Sequence, residues 1–150
     1  GDDRQASVYN GLARVSPDAE IIAVHDGARP LVTPQIIASS VLVAAACGAA
    51  CVGVPVKDTI KKVNSDRFVL DTPERSLLWT IQTPQTFQRD ILVKAHEKAF
   101  SESFRGTDDS VLAERMGNSV RMVMGSYTNI KITTAEDLVF AEAFLKAAAR

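Results

Sequence analysis

A layered α/β fold with a mostly parallel sheet is the architecture this sequence predicts, on three observations. Short apolar runs, "IIAV" and "AACVGV", alternate with stretches whose apolar residues recur at helical spacing. Good capping residues stand where several of those helical stretches begin. One central segment departs from the alternation and reads as a hairpin that projects from the layers. At 150 residues, 46% of them apolar, the chain has the size of one ordinary domain and can bury a real core.

The elements follow in order. Asp3 to about Val15 reads as a helix, with Val8, Leu12 and Val15 at i, i+4 and i+7. Glu20 to Val24 holds an apolar strand core, as expected when both faces of a parallel sheet are covered. Thr33-Pro34-Gln35 opens the next helix, Thr33 as N-cap and Pro34 at the first helical position, with Ile36, Ile37, Val41 and Leu42 on one face. Ala49 to Val54 is a second buried strand. Gln88 to about Phe104 and Asp108 to Met116 read as helices, and Val120 to Met124 as a strand. Thr133 or Thr134 caps a last helix, with Glu136 and Asp137 in its first turn and Leu138, Phe140, Ala141, Phe144 and Leu145 facing inward.

Residues 57–73 form the exception. Thr59 to Val63 and Phe68 to Leu70 are short β-prone runs around Asn64-Ser65-Asp66, a hairpin signal. An isolated two-stranded hairpin is marginal in water. Such an arm needs a surface to lean on, and a second copy of the chain is a natural one.

Composition excludes several classes. Seventeen basic residues against eighteen acidic give a net charge of −1, without the basic surface of a general nucleic-acid binder. Cys47 and Cys51, in "CGAAC", lack the spacing of a redox or zinc motif and read as two small buried thiols in a reducing cytoplasm. Residues 36–56 carry no charge, yet Ala, Ser and Cys dilute their hydrophobicity and Gly48, Gly53 and Pro55 interrupt it. A helix followed by a buried strand fits better than a membrane span. No G-x-G-x-x-G follows a strand, so a nicotinamide-binding domain is poorly supported.

The stretch "VHDGARP" is the first candidate for chemistry. Ligands of open α/β sheets sit beyond the carboxyl ends of the strands. Asp26 lies where a strand ends, Gly27 lets a ligand approach the backbone, and the planar fork of Arg29 suits phosphate. The stretch reads equally well as a turn with Arg29 on the surface.

Recurring blocks decide the balance. "RQASVYNGL", "HDGARP", "KDTI", "RSLLWTIQTPQTF", "GTDDSVLAE" and "NIKITTAEDL", in that order, resemble the 2-C-methyl-D-erythritol 4-phosphate cytidylyltransferases of the non-mevalonate isoprenoid pathway, over essentially the whole chain. The resemblance implies a Rossmann-like nucleotidyltransferase sheet with a β-arm. It also implies cytidylyl transfer from CTP to methylerythritol phosphate with release of pyrophosphate, in a cytoplasmic homodimer. Mg²⁺ would be held mainly by the CTP phosphates, and Asp26 could supply one contact to it, directly or through water. Both reactants are anionic, so the protein would act by positioning them and neutralising charge.

The same resemblance assigns Ser7, Asp26, Gly27 and Arg29 to the nucleotide side of the site or its border with the second substrate. Arg75 would hold the methylerythritol phosphate, with Thr59 and Thr83 beside it and the arm reaching into the partner subunit's site. Lys131 would position that phosphate and balance charge during attack, with Thr107 and Thr133 as nearby hydroxyl contacts. Each has a plainer competitor. Thr107 before Asp108 and Asp109 is a good helix cap, Thr83-Pro84-Gln85 repeats the capping tripeptide at Thr33, Arg75 suits a surface ion pair, and Lys131 a solvated strand. Trp79 and Phe87 read as core.

The family's Gly-rich, cationic loop after its first strand, which cradles the triphosphate, has no counterpart after "GDDRQ". The expectation is a partial cytidylyltransferase domain over 1–150, inactive alone. Ribitol-5-phosphate cytidylyltransferases share "TPQ" and "NIKITT" but lack the Arg-x-x-Leu-Trp pattern of Arg75 to Trp79. A non-catalytic dimerisation or binding module is the competing reading from another class.

Overall fold

The computed structural model describes residues 1–148. Six strands and five α-helices follow the alternation: α1 Arg4–Leu12, β1 Ile21–Val24, α2 Pro34–Cys47, β2 Ala49–Pro55, β3 Lys62–Val63, β4 Val69–Asp71, β5 Trp79–Gln88, α3 Arg89–Ser101, α4 Asp109–Arg115, β6 Arg121–Met124 and α5 Ala135–Ala148. A single 3₁₀ turn, Arg75–Leu77, precedes β5. Side-chain caps begin where expected. Asp3 accepts from the Ala6 amide at α1, and Thr33 accepts from the Ile36 amide at α2 with Pro34 just inside.

The main sheet has the order β1-β5-β2-β6. It is mixed rather than mostly parallel: β5 runs antiparallel to both β1 and β2, and only β2 and β6 are parallel. The difference comes from β5, a ten-residue strand hidden in the sequence by Pro84. A proline cannot donate to a ladder and argues against a central strand. The fold accommodates it where the β2–β5 register slips between Cys51 and Gly53, so Pro84 sits opposite an interruption in the pairing.

Side chains of β2 alternate between two cores. Ala50 and Val52 pack with Ile36, Ala44 and Val123 under α2, while Ala49 packs with Phe87, Leu92 and Ala113 under α3 and α4. Helices therefore cover both faces at the middle of the sheet. Fully burying a side chain such as Phe87 contributes about 1.5–3 kcal/mol. Trp79 is half-buried at the start of β5.

Three expectations about burial fail. β1 is half-buried with Ala23 exposed, because it forms an edge of the sheet. In α5 only Ala141 is buried, whereas Leu138, Phe140 and Leu145 face outward, since this helix has little sheet beneath it. Cys47, at the last turn of α2, is exposed; only Cys51, on β2, is buried. Burial pushes the Cys51 thiol up to about 11.

The arm exists as a short β3–β4 hairpin. Asn64 organises its turn, its side-chain oxygen accepting from the amides of Asp66 and Phe68. Its apolar side chains Phe68, Val69 and Leu70 are all exposed.

Candidate functional site

Beyond the end of β1 the backbone turns through His25-Asp26-Gly27, and β5 fixes that turn. The Asp26 amide donates to Thr83 Oγ1 at 3.0 Å. The Thr83 hydroxyl is then free to donate to His25 Nδ1 at 2.9 Å, which leaves His25 Nε2–H to donate to the Arg29 carbonyl at 3.1 Å. One threonine at the β5 irregularity thereby sets the whole turn.

Asp26 is the centre of an ionic cluster. Lys131 Nζ lies 3.0 Å from its Oδ2, Arg4 Nε 3.4 Å from Oδ1, and Arg29 Nε 3.7 Å from Oδ2. Burial alone would raise this carboxyl, but Lys131 and Arg4 outweigh it and hold Asp26 below the ordinary aspartate range. Arg4 also donates from Nη2 to Asp109 Oδ2 at 2.7 Å, and His96 Nε2 meets Asp109 Oδ1 at 2.9 Å. Burial opposes the Asp109 charge, yet His96 and Arg4 keep its carboxyl low as well. Three cations (Arg4, Arg29, Lys131) against two carboxylates (Asp26, Asp109) leave one net positive charge, the right sign for an anionic ligand.

The loop from Gly125 to Thr134 delivers Lys131. Gly125 donates its amide to Gly53 O, and a Cβ there would come within 2.8 Å of Val52, so only glycine passes so close to β2. The Asn129 amide nitrogen donates to Gln82 Oε1 and Thr83 O, and the Ile132 amide donates to Ala28 O. Tyr127 donates its hydroxyl to Pro55 O at 2.8 Å while Lys57 Nζ lies 3.6 Å above its ring. Lys131 thus stands on a loop and not in a strand.

Several candidates carry qualified geometry. Arg29 donates to the carbonyls of Asn129 and Ile81 and is largely buried, so most of its fork holds the loop to β5. Gly27 is exposed, with nothing within 4 Å of a Cβ and no left-handed φ; open approach, not backbone strain, is what glycine gives there. Ser7, one turn along α1 from Arg4, is exposed and donates to Asp3 O. Thr107 is exposed and is not the cap of α4: Asp108 takes that place, accepting from the Val111 amide. Thr133 donates its amide and hydroxyl to Asp137 Oδ2, and these bonds with the Thr134 amide hold Asp137 low.

Thr59 and Arg75 stand apart. Both are exposed, Thr59 near the root of the arm and Arg75 in the 3₁₀ turn, where its Nη1 donates to Lys57 O. Neither joins the Asp26 cluster within this chain.

Sequence reasoning missed Arg4, Gln85, His96 and Asp109. Gln85 Nε2 donates to Asp108, and its Oε1 accepts the Asp109 and Ser110 amides, tying α4 to β5. No local pattern unites residues so distant in sequence; only the Thr83-Pro84-Gln85 tripeptide and the paired Asp108-Asp109 hinted at them. A hollow of about 510 Å³ between α1 and α3 lies away from Asp26, lined largely by apolar and aromatic groups such as Tyr9, Phe100 and Phe104. Lacking converging cations, it is a poorer place for an anion than the open strand ends.

Comparison with known proteins settles the family. The family described as IspD, 2-C-methyl-D-erythritol 4-phosphate cytidylyltransferase, matches residues 1–147. The chain belongs to that family. The cytidylyltransferase of Caldanaerobacter subterraneus subsp. tengcongensis is 61% identical over 97% of this chain, which covers 64% of that relative. The cytidylyltransferase of Pelotomaculum thermopropionicum is 54% identical over 98% of this chain, covering 62% of its length. The chain therefore spans less than two thirds of these relatives. Among solved structures, 4-diphosphocytidyl-2C-methyl-D-erythritol synthase from Anaerococcus prevotii superposes with a TM-score of 0.91 at 36% identity, covering 96% of this chain and 64% of that one. The Thermus thermophilus cytidylyltransferase gives 0.88 at 35% identity, with 97% and 71% covered. Its mixed α/β layers are those of the cytidylyltransferases.

Proposed function

We propose that the full-length protein transfers a cytidylyl group from CTP to 2-C-methyl-D-erythritol 4-phosphate and releases pyrophosphate, as a homodimer in the cytoplasm. The observation that carries the reading is the electropositive cluster around Asp26, at the strand ends of a chain that belongs to the cytidylyltransferases. A substrate phosphate oxygen attacks the α-phosphorus of CTP. The new P–O bond forms as the bond to the bridging oxygen breaks, and pyrophosphate leaves with that electron pair.

Lys131 balances the charge that builds during attack, and its Nζ is partly exposed beside Asp26. Ser7, Asp26, Gly27 and Arg29 form the nucleotide side, where Arg29 acts mainly by holding the turn to the Lys131 loop. Thr83 works through the turn it anchors, because its hydroxyl is already engaged. Arg75, with Thr59, holds the methylerythritol phosphate across the dimer, and Thr107 and Thr133 line the approach. A Mg²⁺ carried by the triphosphate supplies charge neutralisation. Asp26 would supply one contact to it, directly or through water, and the phosphates would hold the rest of the ion. The exposed free thiol of Cys47 fits a reducing compartment. Among the described residues, no helix is long and apolar enough to cross a membrane.

Pyrophosphate release by the full-length protein tests the proposal, with CTP and either methylerythritol phosphate or ribitol 5-phosphate. Turnover with methylerythritol phosphate is expected; preference for ribitol 5-phosphate, or no turnover with either, overturns it.

A further inference from the structure

A chain of polar groups runs from the interior to Asp26, and the chemistry above does not use its inner half. His96 on α3 and Asp109 on α4 have side chains only 1% exposed. Two such groups cost more to desolvate than surface groups, and apolar replacements of similar volume often fold as well. Burial of the pair is thus weak evidence for a purely stabilising role.

Geometry shows what it controls. Asp109 divides its oxygens, Oδ1 to His96 and Oδ2 to Arg4, and the same Arg4 guanidinium turns its Nε toward Asp26 Oδ1. His96 Nδ1 has no partner among the described residues, which favours the tautomer with the hydrogen on Nε2, aimed at Asp109. The Tyr9 ring flanks the imidazole, centroids 6.4 Å apart and planes 23° from parallel. Nothing in this series needs to rearrange to hold Arg4 in place.

Arg4 and Lys131 take opposite oxygens of Asp26. If Arg4 loosens, Oδ1 loses its cation and the carboxylate charge falls on Lys131, already 3.0 Å from Oδ2, and on Arg29, so Lys131 is held more strongly and is less available to a phosphate. We infer that His96 is a positioning residue: by donating to Asp109 it holds Arg4 on Asp26, which shares the carboxylate charge and weakens the hold of Asp26 on Lys131. The inference rests on the proposed function and deepens it.

His96→Leu removes the donor at similar volume, whereas His96→Gln retains an amide donor near the position of Nε2. In the full-length protein, His96→Leu should fold cooperatively and lose about tenfold in kcat, with both KM values changed by less than about threefold. His96→Gln should recover most of that rate. In a Lys131→Ala background His96→Leu should cost little more, because the two act through one carboxylate. A merely structural role would move none of these ratios. Unchanged kcat in folded His96→Leu, equal loss in both variants, or a full tenfold additional loss without Lys131 each overturns the inference. Should His96→Leu fail to fold, the imidazole nitrogen signals of the wild type decide: CTP with Mg²⁺ should shift those of His96, and unshifted signals overturn it. Absence of wild-type turnover removes the proposed function, whereas wild-type turnover with an unaltered folded variant removes this inference alone.

Discussion

Around Asp26 the carboxylate, Arg4 and Arg29 are each held by several partners, whereas on the arm almost no group is. Asp26 touches Arg4, Arg29 and Lys131 and hangs from Thr83, which itself sits on a strand packed on both faces. Arg75 has one bond to the Lys57 carbonyl, and the arm beyond it exposes Phe68, Val69 and Leu70. Groups held from many sides are preorganised, and the fold has already met the cost of ordering them. Groups on a bare hairpin acquire that order only when the arm rests against another surface. The first region therefore suits developing charge, and the second suits a contact made on assembly.

Experiments can break that contrast. The largest effect should come from Asp109→Ala, which strands His96 and part of Arg4. Removing one partner of a buried pair costs about 3–5 kcal/mol, and the value here should fall near about 3 kcal/mol because Arg4 is one third exposed. Urea unfolding measures it, and a loss below about 1 kcal/mol would mean the cluster is not interlocked. The same carboxyls fix an acid response. Asp26 and Asp109 titrate below their ordinary 3.8 when folded, so their stabilisation is present above 3.8 and is lost as pH falls through the lower folded values. Stability should drop below that pH, and less steeply once residue 109 is alanine.

Next in size, Lys131→Ala should lower turnover about 10²-fold with modest change in either KM, and Lys131→Arg should restore only part of it, since a planar fork does not replace a compact ammonium. Unchanged turnover would return Lys131 to the role of a solvated loop residue. Arg75→Ala should then raise the KM for methylerythritol phosphate, and not that for CTP, by about 10- to 100-fold, in line with a charged hydrogen bond of about 1.5–3 kcal/mol. Smallest in folding terms is Phe68→Ser. It should change unfolding free energy at low concentration by no more than about 0.5 kcal/mol, yet weaken dimer formation in analytical ultracentrifugation. A strongly destabilised monomer would show that the arm belongs to the chain's own core.

What the sequence disclosed follows the same division. Helix starts at Asp3 and Thr33 and the hairpin at Asn64 are local events, legible because a few neighbouring residues determine them. β5 was not legible, since its Pro84 is tolerated only through a register slip that depends on β2. The Asp26–Lys131 pair spans more than a hundred residues and became readable through family motifs alone. Arg4, Asp109 and His96 escaped because each residue by itself looks like a surface charge or an isolated imidazole, and only the folded sheet brings them together.

Tyr127 gives the two regions a mechanical connection. Its hydroxyl grips Pro55 and its ring supports Lys57, both at the root of the arm, while the same loop carries Asn129 and Lys131 a few residues further on. The arm is therefore rooted against the same loop that delivers the lysine. One aromatic side chain is thus common ground for two segments more than fifty residues apart in the chain, and replacing it would remove a contact from both.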